Sequence, residues 1–149
     1  DEILFKFLGK QEADRLPFFS TIIHAFCVLV DRSDKTSRKN SYVKMKREMN
    51  KGFSVFLYIE GTRNRTTAPV KDFYDGAFRL AIEMQKPIVV NTLVGIRQIN
   101  PPTSFFTISP GIITSHWDIP ISTVGMTLGD IPALKEQVKQ MMIKRLEDC

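Results

Sequence analysis

Short apolar runs alternate with amphipathic stretches of helical length along most of this chain. The apolar runs predict strands at 3–8, 27–31, 55–59 and 87–94, and a strand pair within 105–117 that is broken at Pro110-Gly111. The amphipathic stretches predict helices at 18–26, from 33–40 through 49, at 76–85 and at 130–147. Because strands joined by crossover helices pair in parallel, the pattern predicts an α/β fold. We expect a single domain over 1–149 with a central, largely parallel sheet flanked by helices.

Individual residues define some of these helices more closely. Gly52 is expected to end the second helix, and Asp130 is expected to cap the last one. The helix at 76–85 is expected to present one shared face, formed by Phe78, Ala81, Ile82 and Gln85.

The apolar run at 55–59 ends abruptly in a polar stretch, Glu60-Gly61-Thr62-Arg63. Glycine lets the main chain turn sharply and approach a ligand, and exposed amides together with Arg63 could then hold a phosphate. Open α/β sheets bind their ligands at the carboxyl ends of strands, and Arg32 also follows a predicted strand. We therefore expect Arg32 and residues 60–63 to lie at the same edge of one sheet.

These charged residues also have a purely structural interpretation. Glu60 could pair with Arg63 on the surface, and Arg32 could pair with a neighbouring aspartate. Arg65 and Lys71 are expected to be solvated charges of the loop that follows.

The balance of charges favours an anionic partner. The chain of 149 residues is 43% hydrophobic and carries a formal net charge of +5, which suits a globular protein that binds phosphorylated metabolites or an acidic lipid surface. A basic helix face at 38–47 is usually just solvated, but it could also contact anionic headgroups. A nucleic-acid partner is not expected, because no recognisable binding motif accompanies the charge.

The polar stretch and several further segments resemble the glycerolipid acyltransferases, a family that includes 1-acylglycerol-3-phosphate O-acyltransferase. In chain order, the segments that carry the resemblance are Phe7-Leu8-Gly9-Lys10 with Pro17-Phe18-Phe19, Val30-Asp31-Arg32, Glu60-Gly61-Thr62-Arg63, Phe73-Tyr74-Asp75-Gly76-Ala77-Phe78 and Lys86-Pro87-Ile88-Val89. Their order and spacing extend over nearly the whole chain. The resemblance implies an α/β fold with a central mixed sheet.

The resemblance also implies a reaction and a division of the site. The reaction transfers an acyl group from acyl-CoA or acyl carrier protein to the hydroxyl of a lysophosphatidate-type acceptor, a step of phospholipid biosynthesis that needs no metal or other cofactor. By this resemblance, the acceptor phosphate would be bound by Arg32, Glu60, Gly61, Thr62 and Arg63. The acyl-donor side would include Pro87, Ile88 and Val89.

The catalytic base of the family is a histidine followed, after four residues, by an aspartate. His24 and His116 are the two histidines of the chain, and the positions five residues beyond them hold Leu29 and Ile121. The resemblance thus implies a dyad in a segment upstream of Asp1, and a chain that is inactive alone. It also implies attachment to the cytoplasmic face of a membrane, peripherally or through a missing segment. The alternative is a non-catalytic fragment or family member that retains binding to phosphate and to the membrane surface.

Overall fold

A computed structural model of the chain describes residues 4–10, 23, 25–31, 33–101 and 108–148. The chain divides into two compact units, residues 1–58 and 59–149. Most of the helix predicted at 18–26 lies outside the described residues, although Ile23, Ala25 and Phe26 are helical. Arg32 and His24 also lie outside them.

The first unit is built on a parallel sheet of three strands. It contains β1 (Phe5–Lys10), β2 (Cys27–Val30), helix α1 (Lys35–Asn50) and β3 (Ser54–Phe56). β1 is central, with β2 and β3 parallel on either side of it. The predicted α/β class with a parallel sheet is therefore confirmed.

Helix α1 covers β2 and β3, as a crossover between parallel strands requires. Val28, Val30 and Met45 are buried in this unit. The Asp34 carboxylate caps the helix by accepting hydrogen bonds from the backbone N–H groups of Thr36 and Ser37.

One end of β3 agrees with expectation and the other departs from it. Gly52, with φ +95°, follows the end of α1 and allows the reversal into β3, as predicted. The strand itself ends at Phe56 rather than at residue 59, because Phe56 is the last residue to pair with β1. The polar motif at 60–63 therefore follows a short unpaired segment rather than the strand directly.

The second unit holds the larger hydrophobic core. Its elements are α2 (Gly76–Met84), β4 (Asn91–Val94), α3 (Ile96–Ile99), β5 (Thr114–Trp117), a 3₁₀ turn (Leu128–Asp130) and α4 (Ile131–Glu147). The buried core residues are Val70, Phe73, Phe78, Ile82, Val90, Ile121, Ile131, Leu134 and Val138.

β4 is shorter than the predicted strand at 87–94, and its partner is antiparallel. β4 pairs with β5, while Ile88 forms a separate antiparallel bridge with Ile121. Three residues, 118–120, separate Trp117 from Ile121, whereas only two, 89–90, separate Ile88 from Asn91 on the partner segment. The ladder is thus interrupted by a bulge-like insertion, which explains why the run does not form one continuous strand. The first part of the strand pair predicted within 105–117 lies outside the described residues.

The helix ends of this unit correct two expectations. Gln85 is exposed and ends α2 in a left-handed conformation with φ +49°, rather than sharing the buried face with Phe78, Ala81 and Ile82. Asp130 does not cap α4 with its side chain. Its carboxylate instead accepts hydrogen bonds from the backbone N–H and hydroxyl of Thr127, which closes the preceding 3₁₀ turn.

Because Leu134 is only 2% exposed in the second core, we expect Leu134→Ala to leave a cavity there. The substitution should lower the free energy of unfolding by about 2–5 kcal/mol, as measured by denaturant titration. Val124→Ala is the matched control, because Val124 is 76% exposed and its truncation should cost less than about 0.5 kcal/mol. Equal effects of the two substitutions would contradict the packing described here.

Candidate functional site

The polar motif lies at the start of a compact surface loop, residues 59–74. The loop is closed at its ends by a hydrogen bond from the Tyr74 N–H to the Ile59 carbonyl, 3.1 Å long. Two residues of its second half, Val70 and Phe73, are each 5% exposed and belong to the core of this unit. The loop is therefore an Ω-type loop that is fixed to the protein by its own apolar side chains.

A tight turn shapes the motif itself. The Thr62 N–H donates a hydrogen bond of 2.8 Å to the Glu60 carbonyl, and Gly61 between them has φ +69°. This φ value lies in the left-handed region, which glycine adopts without steric cost. Gly61 is thus required by the backbone of the turn, in agreement with its predicted role.

Lys71 joins the two halves of the loop. Its ammonium group donates a hydrogen bond of 2.8 Å to the Thr62 hydroxyl. This contact corrects the expectation that Lys71 is simply a solvated charge. The hydroxyl of Thr62 keeps its own proton and can still donate it to a ligand.

Glu60 is half-buried within this turn. Burial raises the pKa of its carboxyl group above the ordinary value of 4.5, although the Lys71 N–H and the charges of Lys71 and Arg97 act in the opposite direction. Because burial has the largest effect, the loop holds the ionised carboxylate at a cost.

Arg63 extends from the motif to the segment that follows α3. Its Nη2 atom donates to the Asn100 carbonyl at 2.6 Å, to Asn100 Oδ1 at 2.7 Å and to the Pro101 carbonyl at 2.8 Å. No ion pair joins Arg63 to Glu60 within the part of the chain that the structure describes, so the alternative interpretation as a Glu60–Arg63 salt bridge is wrong. The Nε and Nη1 groups make no hydrogen bond to the described residues.

Further polar contacts hold the middle of the loop. Asn64 accepts from the backbone N–H and hydroxyl of Thr66 at 2.9 and 2.7 Å, and it donates to the Ala68 carbonyl at 2.9 Å. The same carbonyl accepts a bond of 2.6 Å from Arg97 Nη2. Asn64, Arg97 and Asn100 were not predicted from the sequence.

The spacing of Asn64 and Thr66 is a signal for an Asx turn that sequence reasoning could have used. By contrast, Arg97 and Asn100 contact the loop from about thirty or more positions away in sequence. No local pattern indicates such contacts.

The loop and its neighbours form a basic surface. The cations are Arg63, Arg65, Lys71 and Arg97, and the acids of residues 59–74 are Glu60 and Asp72. Asp72 lies 3.4 Å from the ammonium group of Lys139. The excess of cations favours an anionic ligand, and planar guanidinium groups suit a phosphate.

The residues assigned by resemblance to the donor side lie just before β4. Ile88 exchanges both backbone hydrogen bonds with Ile121, at 2.9 and 2.8 Å, while Pro87 and Val89 are exposed. These residues precede β4, whereas the contacts that hold the polar loop come from residues after β4. That these residues form one site with the polar loop stays a prediction. Arg32 lies outside the described residues, so its expected place beside the motif stays a prediction.

The described residues also bear on membrane crossing and metal binding. Among the described residues, no helix is both long enough and apolar enough to cross a bilayer. The same residues contain no group of three or more histidine, cysteine or acidic side chains that could hold a metal ion.

Comparisons with known proteins agree with the motif. A family model described as Acyltransferase matches residues 3–93. The mouse 1-acyl-sn-glycerol-3-phosphate acyltransferase alpha is 33% identical over 89 residues, which cover 60% of this chain and 31% of that protein. The human 1-acyl-sn-glycerol-3-phosphate acyltransferase beta is 34% identical over 119 residues, which cover 79% of this chain and 37% of that protein.

The fold is shared with a solved acyltransferase. The crystal structure of the 1-acyl-sn-glycerophosphate acyltransferase PlsC from Thermotoga maritima matches with a TM-score of 0.72 at 18% identity, over 96% of this chain and 56% of that one. The chain spans less than half of the length of the mouse and human relatives. Because the family model matches more than half of the chain, and because the motif at 60–63 and the fold agree with it, the chain belongs to the acyltransferase family that includes the 1-acyl-sn-glycerol-3-phosphate acyltransferases.

Proposed function

We propose that the protein containing this chain transfers an acyl group from acyl-CoA or acyl carrier protein to the hydroxyl of a lysophosphatidate-type acceptor. It would act as a 1-acylglycerol-3-phosphate O-acyltransferase in phospholipid biosynthesis. The observation that carries the proposal is the motif at 60–63 in a fixed, basic loop, within a chain of the acyltransferase family. The named activities of the mouse and human relatives support the same acceptor.

The loop suits the task of holding the acceptor phosphate. We propose that Arg63 donates to the phosphate through Nε and Nη1 while Nη2 stays on Asn100 and Pro101. The Thr62 hydroxyl, the main chain at Gly61 and the side chain of Arg32 would complete the phosphate site. Fixing the phosphate in this way orients the acceptor hydroxyl, which lowers the entropic part of the barrier to acyl transfer.

Glu60 has a supporting role in this proposal. A carboxylate repels a phosphate, so we assign it to orienting the nearby cations rather than to contacting the ligand directly. Its carboxylate attracts both Lys71 and Arg97. Glu60 would thereby keep these two positive charges turned toward the site.

The acyl donor would lie on the side of Pro87, Ile88 and Val89. Val89 is 46% exposed and offers an apolar surface for an acyl chain or a pantetheine arm. The hydroxyl attack on the thioester additionally needs a general base, which removes the hydroxyl proton as the new ester bond forms.

The proposal also places the protein on the cytoplasmic face of a membrane, where a lipid acceptor is found. The basic face of α1 supports contact with anionic headgroups, because Arg38, Lys39, Lys44 and Arg47 are all exposed. Each such cation near an anionic surface contributes about 1 kcal/mol to binding.

Replacing Arg63 by lysine tests its proposed contact with the phosphate. Arg63→Lys keeps the charge but loses the planar guanidinium group, so kcat/KM for the acceptor should fall about ten- to a hundredfold in the full-length enzyme. The value of kcat/KM for the acyl donor should stay nearly unchanged, because in this proposal the donor thioester does not contact Arg63. Steady-state kinetics with each substrate varied in turn measure this difference.

Arg65→Lys is the matched control for that experiment, because Arg65 is an exposed arginine of the same loop. It should leave both kcat/KM values within about twofold, since surface substitutions seldom have large effects. If Arg63 only anchors Asn100, then Arg63→Lys will lower the melting temperature and reduce both kcat/KM values equally. That result would remove Arg63 from the phosphate site.

The pH dependence of stability tests the environment of Glu60. Below its ordinary pKa, Glu60 is protonated in both the folded and the unfolded protein and costs nothing. As the pH rises through the raised pKa of the folded state, the buried group ionises at a cost, and stability is lost. Glu60→Gln cannot ionise. The melting temperature of this variant minus that of the parent protein should therefore increase between pH 4 and about pH 8.

Asp72→Asn is the control, because the Asp72 side chain is fully exposed on the same loop. Its melting temperature should stay close to that of the parent protein, because a substitution of an exposed side chain seldom has a large effect. If the difference in melting temperature between Glu60→Gln and the parent protein decreases as the pH rises, the attraction of Lys71 and Arg97 affects the pKa of Glu60 more strongly than its burial does.

A further inference from the structure

Four large aliphatic side chains are exposed together beside the basic loop. Ile96, Ile108, Ile112 and Ile113 have exposed fractions of 40%, 75%, 84% and 51%. We call this group the isoleucine tip. A cluster of exposed aliphatic groups is unusual on a protein surface and marks a site of interaction.

Backbone contacts join the two segments that carry the isoleucine tip. The Ser109 N–H donates a hydrogen bond of 2.8 Å to the Ile99 carbonyl, which joins the 108–113 segment to the end of α3. Gly95 lies so close to the carbonyl of Ile112 that a side chain at Gly95 would collide with it. The backbone of the 108–113 segment therefore lies along α3, which carries Ile96.

Two arginines of the candidate site border the isoleucine tip. Arg97 directly follows Ile96, and Arg63 is bonded to Asn100 and Pro101 just after α3. The hydrogen bonds that hold both guanidinium groups are made to neutral oxygens, and Glu60 attracts Arg97 electrostatically. The loop carries two acids, Glu60 and Asp72, against the four cations of the basic surface, and Asp72 lies 3.4 Å from the Lys139 ammonium group.

We propose that the isoleucine tip inserts into an anionic phospholipid bilayer, with Arg63 and Arg97 at the depth of the headgroups. An apolar tip bordered by cations has the composition of a surface that lies in the membrane interface. A second copy of the chain fits less well, because a symmetric contact would bring the same arginines of both copies together. The inference rests on the proposed function in one respect: a lipid acceptor could then reach the loop without leaving the bilayer.

Vesicle co-sedimentation of the full-length protein tests the contribution of the isoleucines to binding. The double variant Ile112→Ser/Ile113→Ser should bind vesicles of phosphatidylcholine and phosphatidylglycerol at least about tenfold more weakly than the parent protein. Raised salt or vesicles of phosphatidylcholine alone should also weaken parent binding, because they remove the electrostatic attraction. Val124→Ser is the matched control, since it removes an equally exposed aliphatic group elsewhere on this unit and should change nothing.

Labelling identifies which surface enters the bilayer even if other parts of the protein also bind it. A bimane fluorophore on Ile112→Cys, in a background without the native cysteines, should be quenched by lipids spin-labelled in the upper acyl chain. The same fluorophore on Val124→Cys should not be quenched. Melting curves of all variants establish that they are folded.

Unchanged vesicle binding by the double variant, or equal quenching at both labelled positions, would overturn the proposal. A dimer of the parent protein that the double variant abolishes, with vesicle binding intact, would instead assign the isoleucine tip to a second copy. None of these readouts uses acyl transfer. Loss of the proposed activity with normal quenching at Ile112 would therefore contradict the proposed function and leave the membrane contact standing.

Discussion

The candidate site depends on the burial of two apolar side chains, Val70 and Phe73, in the core of the second unit. The loop that they anchor carries charged and hydroxyl groups that compete for water, and such groups alone rarely hold a loop in one shape. Burial of large apolar groups supplies the stabilisation that the polar contacts do not. Because the anchors come at the end of the loop and Ile59 packs on the same core at its start, the motif between them is held at both sides.

Arg63 shows how one side chain can serve both structure and binding. A guanidinium group has five N–H donors in a fixed plane, so a contact through Nη2 leaves the remaining donors in a known orientation. The contact to Asn100 and Pro101 therefore positions the remaining donors as well as joining two distant segments. A group arranged in this way reaches a ligand with little further loss of side-chain entropy.

The segment from Gly95 to Pro101 connects several features of the second unit. It receives Arg63 from the loop, contributes Arg97 to it, and packs against the 108–113 segment. It follows directly from β4, whose antiparallel pairing with β5 fixes its starting point. The basic loop and the exposed isoleucines are thus held by the same short piece of chain, which is why a charged and an apolar surface are neighbours here.

The alternation of apolar runs and amphipathic stretches was enough to predict the α/β class, the three parallel strands and the long helices. A strand with one buried face buries every second side chain, and a helix buries the side chains of one face. These two spacings can be read directly from the sequence. The motif at 60–63 and the other segments of the resemblance likewise indicated the acyltransferase family. The sharp turn at Gly61 was also predictable, because a left-handed backbone favours glycine.

The tertiary structure alone decided how the strands end and what the site charges contact. β3 ends where pairing with β1 ends, and the run at 87–94 is interrupted by a bulge-like insertion in its partner segment, so neither boundary depends on local apolarity. Arg63 binds Asn100 rather than Glu60, although Glu60 is much closer in sequence. Hydrogen bonds between distant segments depend on how the chain packs, because the core places the donors and acceptors, and no pattern of neighbouring residues contains that information.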